Sequence, residues 1–233
     1  MRPLSPHGLL LKIKKDSNMK KTALTLAMGL LVSGAANAAV EANIGATSNY
    51  VWRGVSQTSD DAALSGGVDY SDESGVYVGA WASDVKWVDG YEFDVYGGYS
   101  SETADGIGYD LGFIHYAYPD ATDSDFTELT ASVTLGPVTA AVAHTIDADT
   151  STAEGDNYYS LSAGTELEEG LSLGGTLGYY DYDSGTSYTH AQLDLTKSLG
   201  DYGDVTASVS KLNNDGTSND EGTVFFVSYS KTF

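Results

Sequence analysis

Polar and apolar residues alternate along most of the chain from residue 40 onward. Each alternating segment covers about nine to eleven residues and is followed by a cluster of Gly, Asp, Ser, Asn or Thr. In one segment, Leu129, Val133 and Leu135 alternate with polar residues. Because successive side chains of a strand point to opposite faces, this pattern predicts strands with one apolar and one polar face.

The number of these segments favours a closed sheet. An even number of strands of this length is what a transmembrane β-barrel of a bacterial outer membrane requires, since closure leaves no unpaired edge in lipid. We therefore predict an all-β fold, a closed antiparallel transmembrane β-barrel of about twelve strands. The predicted strands lie near 41–53, 62–70, 76–84, 91–100, 107–118, 126–135, 138–146, 158–167, 171–181, 188–198, 204–212 and 223–233.

The connections between the predicted strands alternate in length. Those at 72–75, 136–137 and 167–170 are short, whereas 147–157 and 213–222 are long, acidic and rich in Gly, Ser or Thr. Outer-membrane barrels have short periplasmic turns and longer external loops, so we expect the long connections to face outward from the cell.

Aromatic residues cluster near the predicted strand ends, where girdles at the two lipid interfaces would use them. The last strand is more specific, because an apolar face ends in an aromatic terminal residue. This resembles the C-terminal signal by which outer-membrane barrels are recognised for insertion. The expected girdle residues include Tyr50, Trp52, Tyr70, Trp87, Tyr91, Tyr99, Tyr158, Tyr159 and Tyr188, and the expected assembly signal is Phe225, Val227, Tyr229 and Phe233.

The N-terminal residues are expected to be absent from the folded protein. Residues 19–38 have the features of an export signal: Lys20 and Lys21, an apolar run too short to span a bilayer, and small residues at Ala36 and Ala38. We expect cleavage after Ala38 and a barrel from 39 to 233. Residues 1–18 show no periodicity and are interpreted as an overlong, unstructured start.

Removal of the first 38 residues makes the charge more negative. Six of the 11 Lys and Arg residues and one of the 33 Asp and Glu residues lie there, which leaves a formal charge of −27. Such a field repels phosphates, so nucleic acid is excluded as a partner. The chain has no cysteine, so disulfides and thiolate chemistry are excluded as well.

One motif resembles a known family. The sequence SNYVWRGVSQT at 48–58 is similar to the first-strand signature of the TorF-type porins, also described as the Gcw_chp family. The resemblance implies an outer-membrane barrel with a transport role and assigns neither a substrate nor catalytic residues. It continues through 66–85, 93–100, 106–119, 177–182 and the closing strand.

If the apolar faces contact lipid, the alternate positions line the lumen. A Lys or Arg side chain that faces lipid at the middle of the bilayer destabilises the barrel by about 2–4 kcal/mol. We therefore expect the charged residues to face the lumen. Arg53 is the only arginine after residue 38, and we expect it to pair with a carboxylate and to shape selectivity, or merely to seat the first strand. The candidate lumen residues are Arg53, Asp69, Glu92, Asp94, Asp110, Glu128, His190 and Asp194.

These features favour a narrow channel for passive diffusion of small cationic or neutral solutes. The alternatives are a closed structural or surface-interaction barrel and, less favoured, an outer-membrane hydrolase. His115 and His144 fall on lipid-facing positions, and no hydrolase motif surrounds His190. No cofactor or metal motif is present. The expected partners are outer-membrane lipid, lipopolysaccharide bridged weakly through Asp215, Asp220 and Glu221, the barrel-assembly machinery and small solutes.

Overall fold

The computed structural model describes residues 39–150, 153–185, 187–214 and 222–233. The predicted signal segment and the three acids expected to bridge lipopolysaccharide lie outside these residues. The strands are β1 Ala39–Thr47, β2 Val51–Trp52, β3 Val55–Ser56, β4 Ala63–Ser71, β5 Val76–Val85, β6 Gly90–Glu102, β7 Ile107–Ala117, β8 Phe126–Leu135, β9 Val138–Ala148, β10 Asn157–Glu168, β11 Leu171–Asp181, β12 Tyr188–Ser198, β13 Asp204–Asn214 and β14 Thr223–Thr232.

Twelve of these strands form a closed antiparallel barrel, and β2 and β3 form a separate two-stranded ribbon. Each of the strands from β4 to β14 pairs with its sequence neighbour, and β1 closes the ring between β4 and β14. The β1–β14 seam is short: Asn43–Thr47 pairs with Ser228–Thr232, and Ala42 and Phe233 exchange two further backbone hydrogen bonds. The predicted fold class and strand number are confirmed.

The two faces of the barrel differ as the alternation predicts. Large apolar side chains such as Leu64, Leu111 and Leu135 are exposed on the outer face. The inner face carries polar and aromatic side chains, including the buried Glu92, Asp94 and Glu128. An apolar outer belt around a polar interior is the arrangement of transmembrane barrels. Among the described residues, no helix is long and apolar enough to cross a membrane.

Connection lengths define two ends of the barrel. At the turn end, β-strands are joined by 72–75, 103–106, 136–137 and 169–170, and by 199–203 with its 3-10 helix Gly200–Tyr202. At the loop end, the connections are longer, with the exception of the four residues 86–89 between β5 and β6. Both chain ends of the barrel lie at the turn end, as an even strand number requires.

The first predicted strand was wrong in its second half. The prediction placed one strand at 41–53, but β1 ends at Thr47. Residues 48–62, hereafter the inner loop, leave the wall at the loop end and fold into the lumen. The motif read as a first-strand signature therefore builds the β2–β3 hairpin of the inner loop.

Candidate functional site in the barrel lumen

The inner loop is held together by the buried Asn49. The Asn49 side-chain amide donates to Asp60 Oδ1 over 2.7 Å, and its carbonyl oxygen accepts from Ser56 Oγ over 2.6 Å and from Thr58 Oγ1 over 3.2 Å. The Tyr50 amide in turn donates to Thr58 Oγ1. These bonds satisfy polar groups that would be costly to bury unpaired, so the motif folds as a local unit.

The tip of the hairpin is the two-residue turn Arg53–Gly54 between paired Trp52 and Val55. Both turn residues have positive φ, 49° at Arg53 and 87° at Gly54, as type I′ hairpin turns require. A Cβ added at Gly54 would lie 2.6 Å from Cβ of His190 on β12. Glycine is therefore required both by the backbone and by close packing of the tip against the wall.

The tip contacts the opposite wall through Arg53. Its guanidinium Nη1 and Nη2 each donate to one carboxylate oxygen of Glu128 on β8, both over 2.7 Å. The Glu128 side chain is 1% exposed and that of Arg53 is 10% exposed, so the ion pair is largely shielded from water. The expected pairing of Arg53 with a carboxylate is present, but on an inward hairpin and not on a wall strand.

Aromatic rings surround the same guanidinium. Its Cζ lies 4.3 Å from the ring centroids of both Trp52 and Tyr158 and 5.6 Å from that of Tyr180. Cation–π contacts of this kind contribute about 0.5–2 kcal/mol each, with the larger values for desolvated groups. We call Trp52, Glu128, Tyr158 and Tyr180 the Arg53 cage.

Two acids, Glu92 and Asp94, lie on β6 under the base of the inner loop. Glu92 accepts from the hydroxyls of Tyr50 and Tyr118, both over 2.9 Å. Asp94 is 1% exposed, and its Oδ1 has no hydrogen-bond partner among the described residues. Two carboxyl groups without an ion-pair partner among the described residues therefore lie where the inner loop meets the wall.

The remaining candidate acids lie closer to the turn end. Asp69 accepts from the Tyr96 hydroxyl and from the Asn43 amide, and Asp110 Oδ1 accepts from the Tyr77 hydroxyl over 3.0 Å. Asp194 Oδ1 accepts from Gln192 and Ser208. The second oxygens of Asp110 and Asp194 are buried without a partner among the described residues.

Between these acids, the lumen wall is lined by small hydroxyl side chains. Thr134 contacts Thr139, Ser162 contacts Thr176, and Thr196 contacts Thr206, each within 3.1 Å across neighbouring strands. Hydroxyls can donate and accept, so this wall can hydrogen-bond to water or to polar solutes of any charge.

The histidines occupy two different environments. His190 lies on the inner face, where its Nε2 is 2.8 Å from the Tyr158 hydroxyl. His115 and His144 lie on the outer face and contact Thr127 and Asn157, respectively. In the described parts of the chain, no cluster of three or more His, Asp or Glu residues could hold a metal ion.

Four aromatic residues assigned to the girdles lie inside the barrel. Tyr50 and Trp52 belong to the inner loop, and Tyr158 and Tyr188 face the lumen. The inward orientation of Tyr158 and Tyr188 could have been predicted from the sequence, because both residues alternate with lipid-facing neighbours along their strands. The remaining girdle residues Tyr70, Trp87, Tyr91, Tyr99 and Tyr159 are exposed on the outside of the protein.

Sequence comparison decides the family. The model of a family described as "Bacterial protein of unknown function (Gcw_chp)" matches residues 32–227, most of the chain. The chain belongs to the Gcw_chp family. A comparison of this Gcw_chp protein with curated proteins finds no match.

Solved structures show which barrels the Gcw_chp protein resembles. A KdgM porin superposes with a TM-score of 0.59 at 8% identity, covering 83% of this chain and 99% of the porin. The same porin in complex with disordered oligogalacturonate gives 0.59 at 7% identity, with 84% and 99% covered. An outer-membrane channel from Pseudomonas putida F1 gives 0.51 at 11% identity, with 86% and 97% covered. At these identities, the similarity shows a shared barrel fold.

Proposed function

We propose that this Gcw_chp protein is an outer-membrane channel for small solutes that passes cationic and neutral molecules in preference to anions. The apolar outer belt fits a bilayer, and the polar inner wall provides hydrogen bonds along the lumen. The porin-like fold supports the proposal at the level of architecture.

The charge of the inner wall carries the proposal. The only Arg or Lys side chain among the described lumen residues is Arg53, and Glu128 neutralises it. The other lumen acids have no cationic partner among the described side chains, so the potential inside the barrel is negative and attracts cations. These acids are Asp69, Glu92, Asp94, Asp110 and Asp194.

The negative charge of the lumen argues against the solute of the similar KdgM porin as a solute of this protein. The KdgM porin was solved with oligogalacturonate, whose repeated carboxylates make it polyanionic. A lumen that carries unpaired carboxylates would repel such a chain. The shared architecture therefore supports a channel but not the same solute.

A closed structural barrel is the second candidate, and the inner loop favours it. The loop crosses the lumen from β1 to contacts on β8, β10 and β12. If the loop stays docked, it obstructs the loop end of the barrel. We favour the channel because a polar lumen continues beyond the loop toward the turn end, where it carries Asp69, Asp110 and Asp194.

Location and assembly belong to the same proposal. Phe225, Val227 and Phe233 are exposed on the outer face of β14 and its terminus, and Tyr229 shares their parity. This face would contact lipid and serve as the signal for the barrel-assembly machinery. Export through a cleaved segment before residue 39 would deliver the chain there.

Planar-bilayer recording tests the channel and its selectivity together. The refolded protein should conduct, and its reversal potential in a salt gradient should show cation preference. Preference should weaken with rising salt, because the Debye length falls from about 10 Å at 0.1 M to about 3 Å at 1 M. Sealed membranes with correctly folded protein would favour the closed barrel, and anion preference would contradict the assignment of the lumen charges.

A further inference from the structure

The Arg53 cage has the geometry of a guanidinium-binding site. Glu128 presents both carboxylate oxygens to two nitrogens of one guanidinium, which is the bidentate arrangement that Arg makes and an ammonium cannot. Trp52 and Tyr158 stack at equal centroid distances from the same group. The cage thus recognises charge, planarity and the paired N–H groups together.

Three of the four cage residues belong to the barrel wall, and other wall residues hold them. Glu128 accepts from the Tyr116 hydroxyl over 3.3 Å, and the Tyr158 hydroxyl contacts His190. Tyr180 stacks on Tyr188 with ring centroids 5.4 Å apart. The wall part of the site is therefore positioned by contacts that do not involve the Arg53 side chain.

The buried Glu128 carboxylate makes this site bind a cation in preference to remaining empty. A buried charge without a partner is costly, so any state in which Arg53 leaves the cage requires either water or a replacement cation at Glu128. The surrounding rings disfavour bulk water and favour a flat cation.

We propose that Glu128, Tyr158 and Tyr180 form a binding site for small guanidinium-bearing solutes, which Arg53 occupies as a tethered ligand until such a solute displaces it. The inference rests on the proposed function and names the solute class of that channel. Displacement of Arg53 would release the tip of the inner loop and widen the lumen at the loop end.

Competition sets the concentration range of this exchange. A ligand tethered by a short loop has an effective concentration on the order of millimolar or higher at its own site. Free guanidinium solutes must reach a similar range to displace Arg53 from the intact protein. Removal of the Arg53 side chain should expose the site at much lower concentrations.

The test is calorimetric titration of methylguanidinium chloride into the refolded Arg53→Ala protein in detergent. We expect saturable binding near one equivalent, and binding of methylammonium about tenfold weaker or worse because it lacks the paired donors. The Arg53→Ala/Glu128→Gln protein should lose the binding. Arg53→Ala/Asp110→Asn, which removes a lumen acid outside the cage, should retain it.

Each result decides the proposal. Absence of saturable binding in folded Arg53→Ala, or equal binding after Glu128→Gln, would overturn it. If Arg53→Ala does not fold, Gly54→Ala, which displaces the tip by steric clash with His190, takes its place and must bind methylguanidinium more tightly than the unmodified protein. The titration needs no conduction, so binding by a sealed barrel would contradict the channel and leave the cage supported.

Discussion

The guanidinium of Arg53 and the carboxylate of Glu128 form a two-pronged salt bridge that joins the inner loop to β8 across 75 residues of sequence. Other contacts of the tip are aromatic stacking, one hydrogen bond from the Tyr188 hydroxyl to the Arg53 carbonyl, and packing of Gly54 on His190. The position of the tip in the lumen therefore depends strongly on one buried ion pair, whereas the base of the inner loop is held separately by the Tyr50–Glu92 hydrogen bond.

Arg53→Ala should undock the tip and destabilise the barrel. Loss of one partner of a buried ion pair costs about 3–5 kcal/mol, because the other charge stays buried. We expect a lower free energy of unfolding in urea and a larger single-channel conductance. Lys231→Ala is the control, since Lys231 stacks on Phe233 on the outer face, and it should change neither conductance nor selectivity.

A double variant separates the ion pair from the rest of the tip. Arg53→Ala/Glu128→Gln buries no unpaired charge, so it should recover part of the lost unfolding free energy while the conductance stays high. Equal unfolding free energies for Arg53→Ala and the unmodified protein would show that the pair contributes little.

Gly54→Ala should displace the tip without removing any charge. The added methyl group would lie 2.6 Å from Cβ of His190, and φ at this residue is 87°. Gly106→Ala is a matched control, because Gly106 has φ of 80° and open space around its Cβ position. We expect increased conductance from Gly54→Ala only, and backbone strain of about 1 kcal/mol from either variant. Similar conductance of the two variants would contradict tip packing as a determinant of the lumen.

Much of the barrel could be predicted from sequence, because the alternation of apolar and polar residues assigns each strand residue to one of two faces. Lipid outside and polar groups inside assign each wall residue to a face, and this parity places Glu92, Asp110 and Asp194 in the lumen before any coordinates. Apart from the end of the first strand, strand ends were predicted within a few residues, since Gly, Asp and Ser clusters break the pairing there.

The inner loop escaped prediction because its strands are only two residues long. Alternation continues from β1 through Tyr50 and Trp52, so parity alone cannot show that the chain has left the wall. The Arg53–Gly54 pair was the available signal, since a two-residue turn ending in Gly marks a tight hairpin. The cage itself could not be predicted, because it joins residues on four separate strands.

Deletion of Phe233 should reduce insertion into the outer membrane while leaving export intact. Phe233 is 65% exposed on the outer side, so its loss removes a lipid contact and the terminal aromatic residue, together with two backbone hydrogen bonds to Ala42. Insertion is measured by membrane extraction and heat-modifiable gel mobility. Phe233→Tyr, which keeps an aromatic terminus, should insert normally. Undiminished insertion of the deletion variant would count against the assembly signal.

Epitope tags should reveal which end of the barrel faces outward. A tag within 147–157 should be accessible to antibody on intact cells, and one within 213–222 should behave in the same way. A tag within 72–75, at the turn end, should be detected only after the outer membrane is permeabilised. The reverse pattern would invert the proposed orientation.

Neutralising lumen acids one at a time should lower cation preference. Asp110 and Asp194 lie on the inner face and form no ion pair among the described residues, so no neighbouring cation offsets the charge of their carboxylates. Asp110→Asn and Asp194→Asn should each shift the reversal potential toward zero at 0.1 M salt. At 1 M, where the Debye length is about 3 Å, the difference from the unmodified protein should largely disappear. Asp84→Asn provides the control, because Asp84 is exposed on the outer face of β5 and should leave the reversal potential unchanged. An equal shift from Asp84→Asn would mean that charge at the mouth, and not along the lumen, sets the selectivity.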